Sequence, residues 1–332
     1  MLLEGQMVKK STRYKLAPHV TIGTLKGSLI GLKAQSITKI DGNGVIEFIE
    51  SVSEFLVREN GVSIEELEKK FDVEEGQLVN VFEFLTANGI CVKSDSNFNL
   101  TALLAYERAG GQVTIEQITH RVRTNLVEVI AAKNNVLADS LIDNLKKYEL
   151  NVVLKGESDV KPNIRIAVGT SHLDPLLEEV NDLALEDNIP WLSIVPYDGQ
   201  TSWIGPFFIP HQSACLHCYN LRKSANFSDE VFRSDLMKIK PINSEQQPVY
   251  NQPLNLVQTG IATNLIAEWI ALRDYAPSAI PGGFTTINLD DKGFTSDNHR
   301  VYRVPRCPKC SPAADTGFPQ VWFHGEGNNY GK

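Results

Sequence analysis

Long apolar runs are missing from this 332-residue chain. No stretch approaches the roughly 20 apolar residues that a membrane-spanning helix needs, and the N-terminus lacks the apolar segment of a signal peptide. Both absences point to the cytoplasm and to no membrane partner. Basic charge is also short: 32 Lys and Arg stand against 40 Asp and Glu, a formal net charge of -8. A chain of that sign has no general attraction to nucleic acid or to anionic lipid. Glycine is absent where a nucleotide-binding sheet would place it. None occurs from Leu126 to Lys155, and neither Gly-x-Gly-x-x-Gly nor Gly-x-x-x-x-Gly-Lys occurs anywhere. Side chains in the turn "AAKNNVLADS" would obstruct the approach of backbone amides to a phosphate, so no ATP is expected; a helix N-terminus and Lys133 remain as a weak anion signal.

Cysteine is scarce too, and four of the five residues form two Cys-x-x-Cys pairs, Cys215/Cys218 and Cys307/Cys310. Each pair suits a tight knuckle that turns both thiolates toward one metal, and two knuckles supply the four soft ligands of a closed structural zinc site. A redox motif needs only one pair, and nothing else marks an exported, disulfide-forming protein. The 88 intervening residues mean that the metal would clip a late segment onto an earlier one. His217, inside the first knuckle, is expected to face solvent, and Cys91 to be a buried small hydrophobe.

The length suffices for two domains with separate cores. In the first hundred residues, strands are expected at 20–26, 28–34 and 36–41, from β-branched alternation broken by turn signals. Helices follow at 45–57, 63–71 and 75–89, and then a wing strand "ICVK". Ser63 and Glu66 have the spacing of a capping box, and Leu78, Val81, Phe82 and Leu85 share one helical face. The order is that of a winged helix-turn-helix. DNA is a poor partner for it: the third helix contains Glu83 and no Lys or Arg, and residues 1–100 hold 11 basic and 14 acidic side chains. An edge strand beside a helix suits β-augmentation by an extended peptide instead.

Residues 101–124 read as a connection. From Leu126 strands and helices alternate, "LVEVIAA", "NVLADSLIDNLKKY", "LNVVLKG", "NIRIAVG", "DPLLEEVNDLALEDN" and "PWLSIVPY", which argues for βαβ units and a parallel, Rossmann-type sheet covered on both faces. His172 and Asp174 lie just past a strand end, where open sheets bind ligands, and Asp174 is expected to cap the next helix. Residues 224–253 read as a surface excursion, and the aromatic tail after residue 312 as a docking segment or a cover for the zinc domain.

The strand-helix module, carried by "NGVSIEELEKKFDVEEGQLVNVFEFLTANGICV", resembles the leader-peptide recognition element of enzymes that modify ribosomally made peptides. The stretch "IPWLSIVPYDGQTSWIGPFFIPHQSACLHCYNLR" and the closing "HRVYRVPRCPKCSP" resemble the ThiF-like branch of the E1 superfamily that accompanies YcaO cyclodehydratases, the Ocin-ThiF-like proteins. The resemblance covers roughly 125–312. It implies a winged-helix recognition element over 1–100, a ThiF/E1-like domain with zinc knuckles over 125–312, and a tail over 313–332. It further implies that a precursor leader lies between Ser36, Ile37, Thr38, Lys39 and Ile40 on a strand and Gln77, Asn80 and Phe82 on a helix. On this reading the chain is a non-catalytic subunit in bacteriocin or thiopeptide antibiotic biosynthesis. It delivers the peptide to a separate YcaO protein, which uses ATP to turn Cys, Ser or Thr residues into azolines; a homodimer is compatible with it. The rival reading is an adenylating E1-like enzyme acting on a peptide or carrier protein.

Overall fold

The computed structural model describes residues 12–33, 36–41, 44–71, 77–94, 100–110, 112–226, 251–291 and 293–311. The chain divides into two compact units, Met1–Arg121 and Val122–Lys332.

The first unit holds two small sheets and five helices among the described residues. An antiparallel meander β2 (Thr21–Leu25), β3 (Ser28–Lys33) and β4 (Ser36–Ile40) follows the expected strands closely, with Leu32 opposite Ile37 and Leu29 opposite Ile40. Lys26 and Gly27 both take positive φ at the β2–β3 turn, the conformation a two-residue hairpin requires. In the second sheet one strand matches the expected "ICVK" and the other two were not expected. β1 (Arg13–Leu16) lies between β5 (Val62–Ser63) and β6 (Cys91–Ser94).

Helices α1 (Val45–Leu56), α2 (Ile64–Phe71) and α3 (Gln77–Ala87) pack their apolar faces into one core. The capping box forms as its spacing demands: Glu66 N–H donates to Ser63 Oγ, and Ser63 N–H to Glu66 Oε2. α4 (Leu100–Arg108) and α5 (Ile115–Thr124) complete the set. Cys91 is buried, as expected, and burial pushes its thiol up to about 12.

The second unit is built on a seven-stranded sheet ordered β13-β12-β11-β10-β9-β7-β8. Its parallel half is β7 (Leu126–Ala131), β8 (Asn151–Leu154), β9 (Ile164–Val168) and β10 (Trp191–Val195). β9 and β10 are buried along their whole length because both of their faces are covered, and they are apolar apart from Arg165 and Ser193. The other half is antiparallel: β11 (Thr201–Phe208), β12 (Gly283–Asp290) and β13 (Gly293–Arg300). The sheet is therefore mixed, which corrects the expectation of an all-parallel one. β13 escaped notice because seven of its eight residues are exposed and polarity alternates nowhere along it.

α6 (Val136–Lys147) opens on Asn135, whose side chain accepts from Leu137 N–H and Ala138 N–H. α7 (Pro175–Asp187) opens on Asp174 as expected, with Leu176 N–H donating to its carboxylate. α8 (Leu216–Ser224) and the long α9 (Gln252–Leu272) complete the layers. Between β7, β9 and α7, the buried Arg165 pairs with Glu128 at 2.9 Å and Asp187 at 2.5 Å. Gly205 in β11 has φ of 103°, and a Cβ there would lie 2.7 Å from Phe284 Cβ, so only glycine lets β12 approach this closely.

Candidate functional site: a four-cysteine centre and an open strand edge

The two knuckles meet. Cys215 ends the turn before α8 and Cys218 lies in its first turn, while Cys307 and Cys310 flank a turn after β13. All four cysteines are free and buried, and their sulfurs lie within 4.8 Å of one another. Sγ–Sγ separations are 3.8 Å for Cys215–Cys218, 3.6 Å for Cys215–Cys307 and 3.5 Å for Cys218–Cys310. Four thiolates at zinc–sulfur distance from one tetrahedral ion stand about 3.8 Å apart. The donor set and its spacing therefore fit zinc.

The surroundings hold the knuckles in place. Leu216 N–H donates to Asn181 Oδ1 on α7, and Val304 N–H to Cys218 Sγ at 3.3 Å. Arg222 on α8 donates to Tyr302 O and Arg303 O, and Arg303 reaches back to His211 O and Cys310 O. Lys309 pairs with Asp182 at 2.6 Å. Hydrogen bonds from the neighbouring Cys215 and Cys310 thiols favour the thiolate form of Cys218. His217 is half-buried rather than facing solvent outright.

The residues expected to meet a leader peptide divide. β4 is an edge of its sheet, with no strand on its far side among the described residues. Ser36 and Lys39 are exposed, Ile37 is 69% exposed, Thr38 is half-buried, and Lys39 pairs with Asp41 at 2.9 Å. Asn80 is exposed on α3, which Gln77 opens. Ile40 and Phe82 are corrected: both belong to the core. Phe82 is 0% exposed, 4.8 Å from the Tyr14 ring and 6.2 Å from that of Phe48, so it cannot touch a surface ligand.

A second cluster lies beyond the carboxyl ends of β9 and β10. His172 meets Trp203 edge-on at 4.6 Å and lies 6.4 Å from Tyr219; Phe284 stacks on Trp203 at 5.6 Å. Burial and the nearby Lys223 lower the His172 pKa to about 4. At the turn after β7, the amides an anion would use are occupied by Asn135 Oδ1, while Asn135 Nδ2 bridges to Val168 O. The residues 227–250 of the expected surface excursion, and the tail after residue 312, lie outside the described residues.

The architecture, a mixed α/β sheet unit preceded by a smaller unit of short sheets and helices, is one that solved structures share. No protein-family model and no curated protein matches the chain. Solved structures do. The heterocyclase TruD is 20% identical over 90% of this chain and 43% of its own, with a TM-score of 0.65. A heterocyclase in complex with substrate and cofactor is 19% identical over 90% of this chain and 39% of its own, with a TM-score of 0.66. E. coli MccB with MccA-N7isoASN is 15% identical over 90% of this chain and 99% of its own, with a TM-score of 0.51. The chain thus spans less than half the length of the two heterocyclases.

These findings overturn the expectation of a non-catalytic subunit, because proteins named as heterocyclases are built on this fold. That expectation rested on a missing glycine loop, which speaks only to one phosphate cradle and not to chemistry elsewhere on the chain. The expected absence of ATP likewise finds no support, since one matched heterocyclase holds a cofactor.

Proposed function

We propose that the chain is part of an enzyme that modifies a ribosomally made precursor peptide by forming azolines, acting together with a YcaO cyclodehydratase activity. The first unit serves as a winged-helix recognition element: the leader adds as an extended strand on β4, with Ile37, Lys39 and Asn80 toward it. The observation carrying this reading is the likeness of 90% of the chain to heterocyclases, one of them with substrate, combined with the open β4 edge. Main-chain pairing supplies affinity there, and the exposed alternate side chains supply selectivity. The four cysteines hold a structural zinc that keeps the second unit closed. A bound leader raises the local concentration of the segment to be cyclised.

A second reading, an adenylating E1-like enzyme, is favoured by the match to nearly the whole of MccB. The two readings separate in one assay. The chain is incubated with precursor peptide and ATP, with and without a YcaO protein. Loss of one water per Cys, Ser or Thr, read by mass spectrometry, supports azoline formation. ATP–pyrophosphate exchange by the chain alone supports adenylation. Neither product under either condition would sink the enzymatic account.

A further inference from the structure

Four side chains from three segments gather past the ends of β9 and β10. His172 comes from the turn after β9, Trp203 from β11, and Tyr219 and Lys223 sit one turn apart on α8. The three rings lie 4.6, 6.4 and 6.5 Å from one another, and Phe284 backs Trp203. Each ring carries a buried polar atom with no hydrogen-bond partner among the described residues: His172 Nε2, Trp203 Nε1 and Tyr219 Oη. Tyr219 is only 6% exposed. A buried polar group without a partner is costly, so three in one cluster call for a cause other than packing.

Lys223 adds charge to the cluster. Its ammonium lies 5.6 Å from the Trp203 ring centroid, is half-buried, and has no carboxylate at ion-pair distance among the described residues. Asp198 acts on both Lys223 and His172 through space, but its Oδ1 already accepts from Gln200 N–H and Thr201 N–H. An indole N–H and an ammonium can only donate, and a phenol and a neutral imidazole can each donate one proton. What the two obligate donors lack is an acceptor, and the phenol and the imidazole can each turn a proton toward the same one. The carboxyl ends of parallel strands are also where open sheets take ligands.

We propose that His172, Trp203, Tyr219 and Lys223 form a binding pocket for an oxyanion group, either a carboxylate or a phosphoryl group, held by donated hydrogen bonds and one ammonium. The pocket does not depend on which peptide chemistry the chain performs. None of its four residues belongs to the turn after β7, where Asn135 already occupies the helix amides.

The test is the indole N–H signal of Trp203 in the full, zinc-loaded chain, one of four tryptophans, assigned with Trp203→Phe. Acetate and inorganic phosphate are titrated separately against a chloride control of equal ionic strength. A saturable shift of the Trp203 signal is expected with at least one of them. Lys223→Gln and Tyr219→Phe should each weaken it at least about tenfold, the equivalent of a lost hydrogen bond to a charged group. Response to acetate alone assigns a carboxylate ligand, to phosphate alone a phosphoryl ligand, and to both an unselective oxyanion pocket. A Trp203 response no different from chloride, or unchanged affinity in both variants while their zinc content and spectral dispersion stay native, overturns the proposal.

Discussion

Replacing Cys307 and Cys310 with serine removes two of four zinc ligands and frees a long segment. Cys215 and Cys307 are 92 positions apart, and tying a loop of that length in the unfolded chain is worth about 4–5 kcal/mol of closure entropy. Zinc is held less permanently than a covalent bridge, because unfolded Cys-x-x-Cys pairs retain some affinity for it; the figure is therefore an upper estimate. The unit concerned runs from Val122 to Lys332, and in a domain of that size each kcal/mol moves Tm by about 2–4 °C. The double variant should melt roughly 10 °C lower, with no bound zinc. Calorimetry and metal analysis read both quantities, and a chelator should bring the unsubstituted protein to the same Tm. A variant that keeps its zinc, or melts within about 2 °C of the parent, would refute the reasoning.

Phe82→Ala, in the core against Tyr14, should cost about 3–5 kcal/mol in urea unfolding, whereas Phe84→Ala, at a half-exposed site, should cost within about 0.5 kcal/mol. Arg165→Met leaves Glu128 and Asp187 without their partner and should destabilise by about 3–5 kcal/mol. His172 is held neutral, with a folded pKa of about 4 against an ordinary 6.5. The unfolded chain therefore binds a proton first as pH falls, so stability declines from 6.5 down to about 4 and this contribution is exhausted below that. His172→Gln should flatten that part of the profile of urea midpoints; an unaltered slope would mean that another group is responsible.

Much of this was legible in the sequence wherever local chemistry decides structure. The capping box at Ser63 and Glu66, the caps at Asn135 and Asp174, and the meander from Thr21 to Ile40 each follow from residues within a few positions of one another. The four cysteines were legible because ligand type and spacing define a metal site even across 88 residues.

Features set by distant pairing were hidden. β1 is four residues long, and its partners lie some fifty and eighty positions away. Because β1 went unread, so did Tyr14, the ring that claims Phe82 for the core. A residue on an apolar helical stripe looks the same in sequence whether its neighbour is a core strand or a ligand. The oxyanion pocket was visible only as an isolated His172, since β11 and α8 bring Trp203, Tyr219 and Lys223 to it from further along the chain.

The central claim, that this chain takes hold of a precursor peptide through its first unit, is tested most directly by fluorescence anisotropy. A labelled leader peptide, from the precursor encoded nearest this protein, is titrated with the full chain without ATP. The account predicts saturable binding that survives physiological salt and weakens in Lys39→Glu and Asn80→Lys, while the four-cysteine unit keeps its zinc. No binding, with or without a YcaO protein, or equal affinity in both variants, would contradict it.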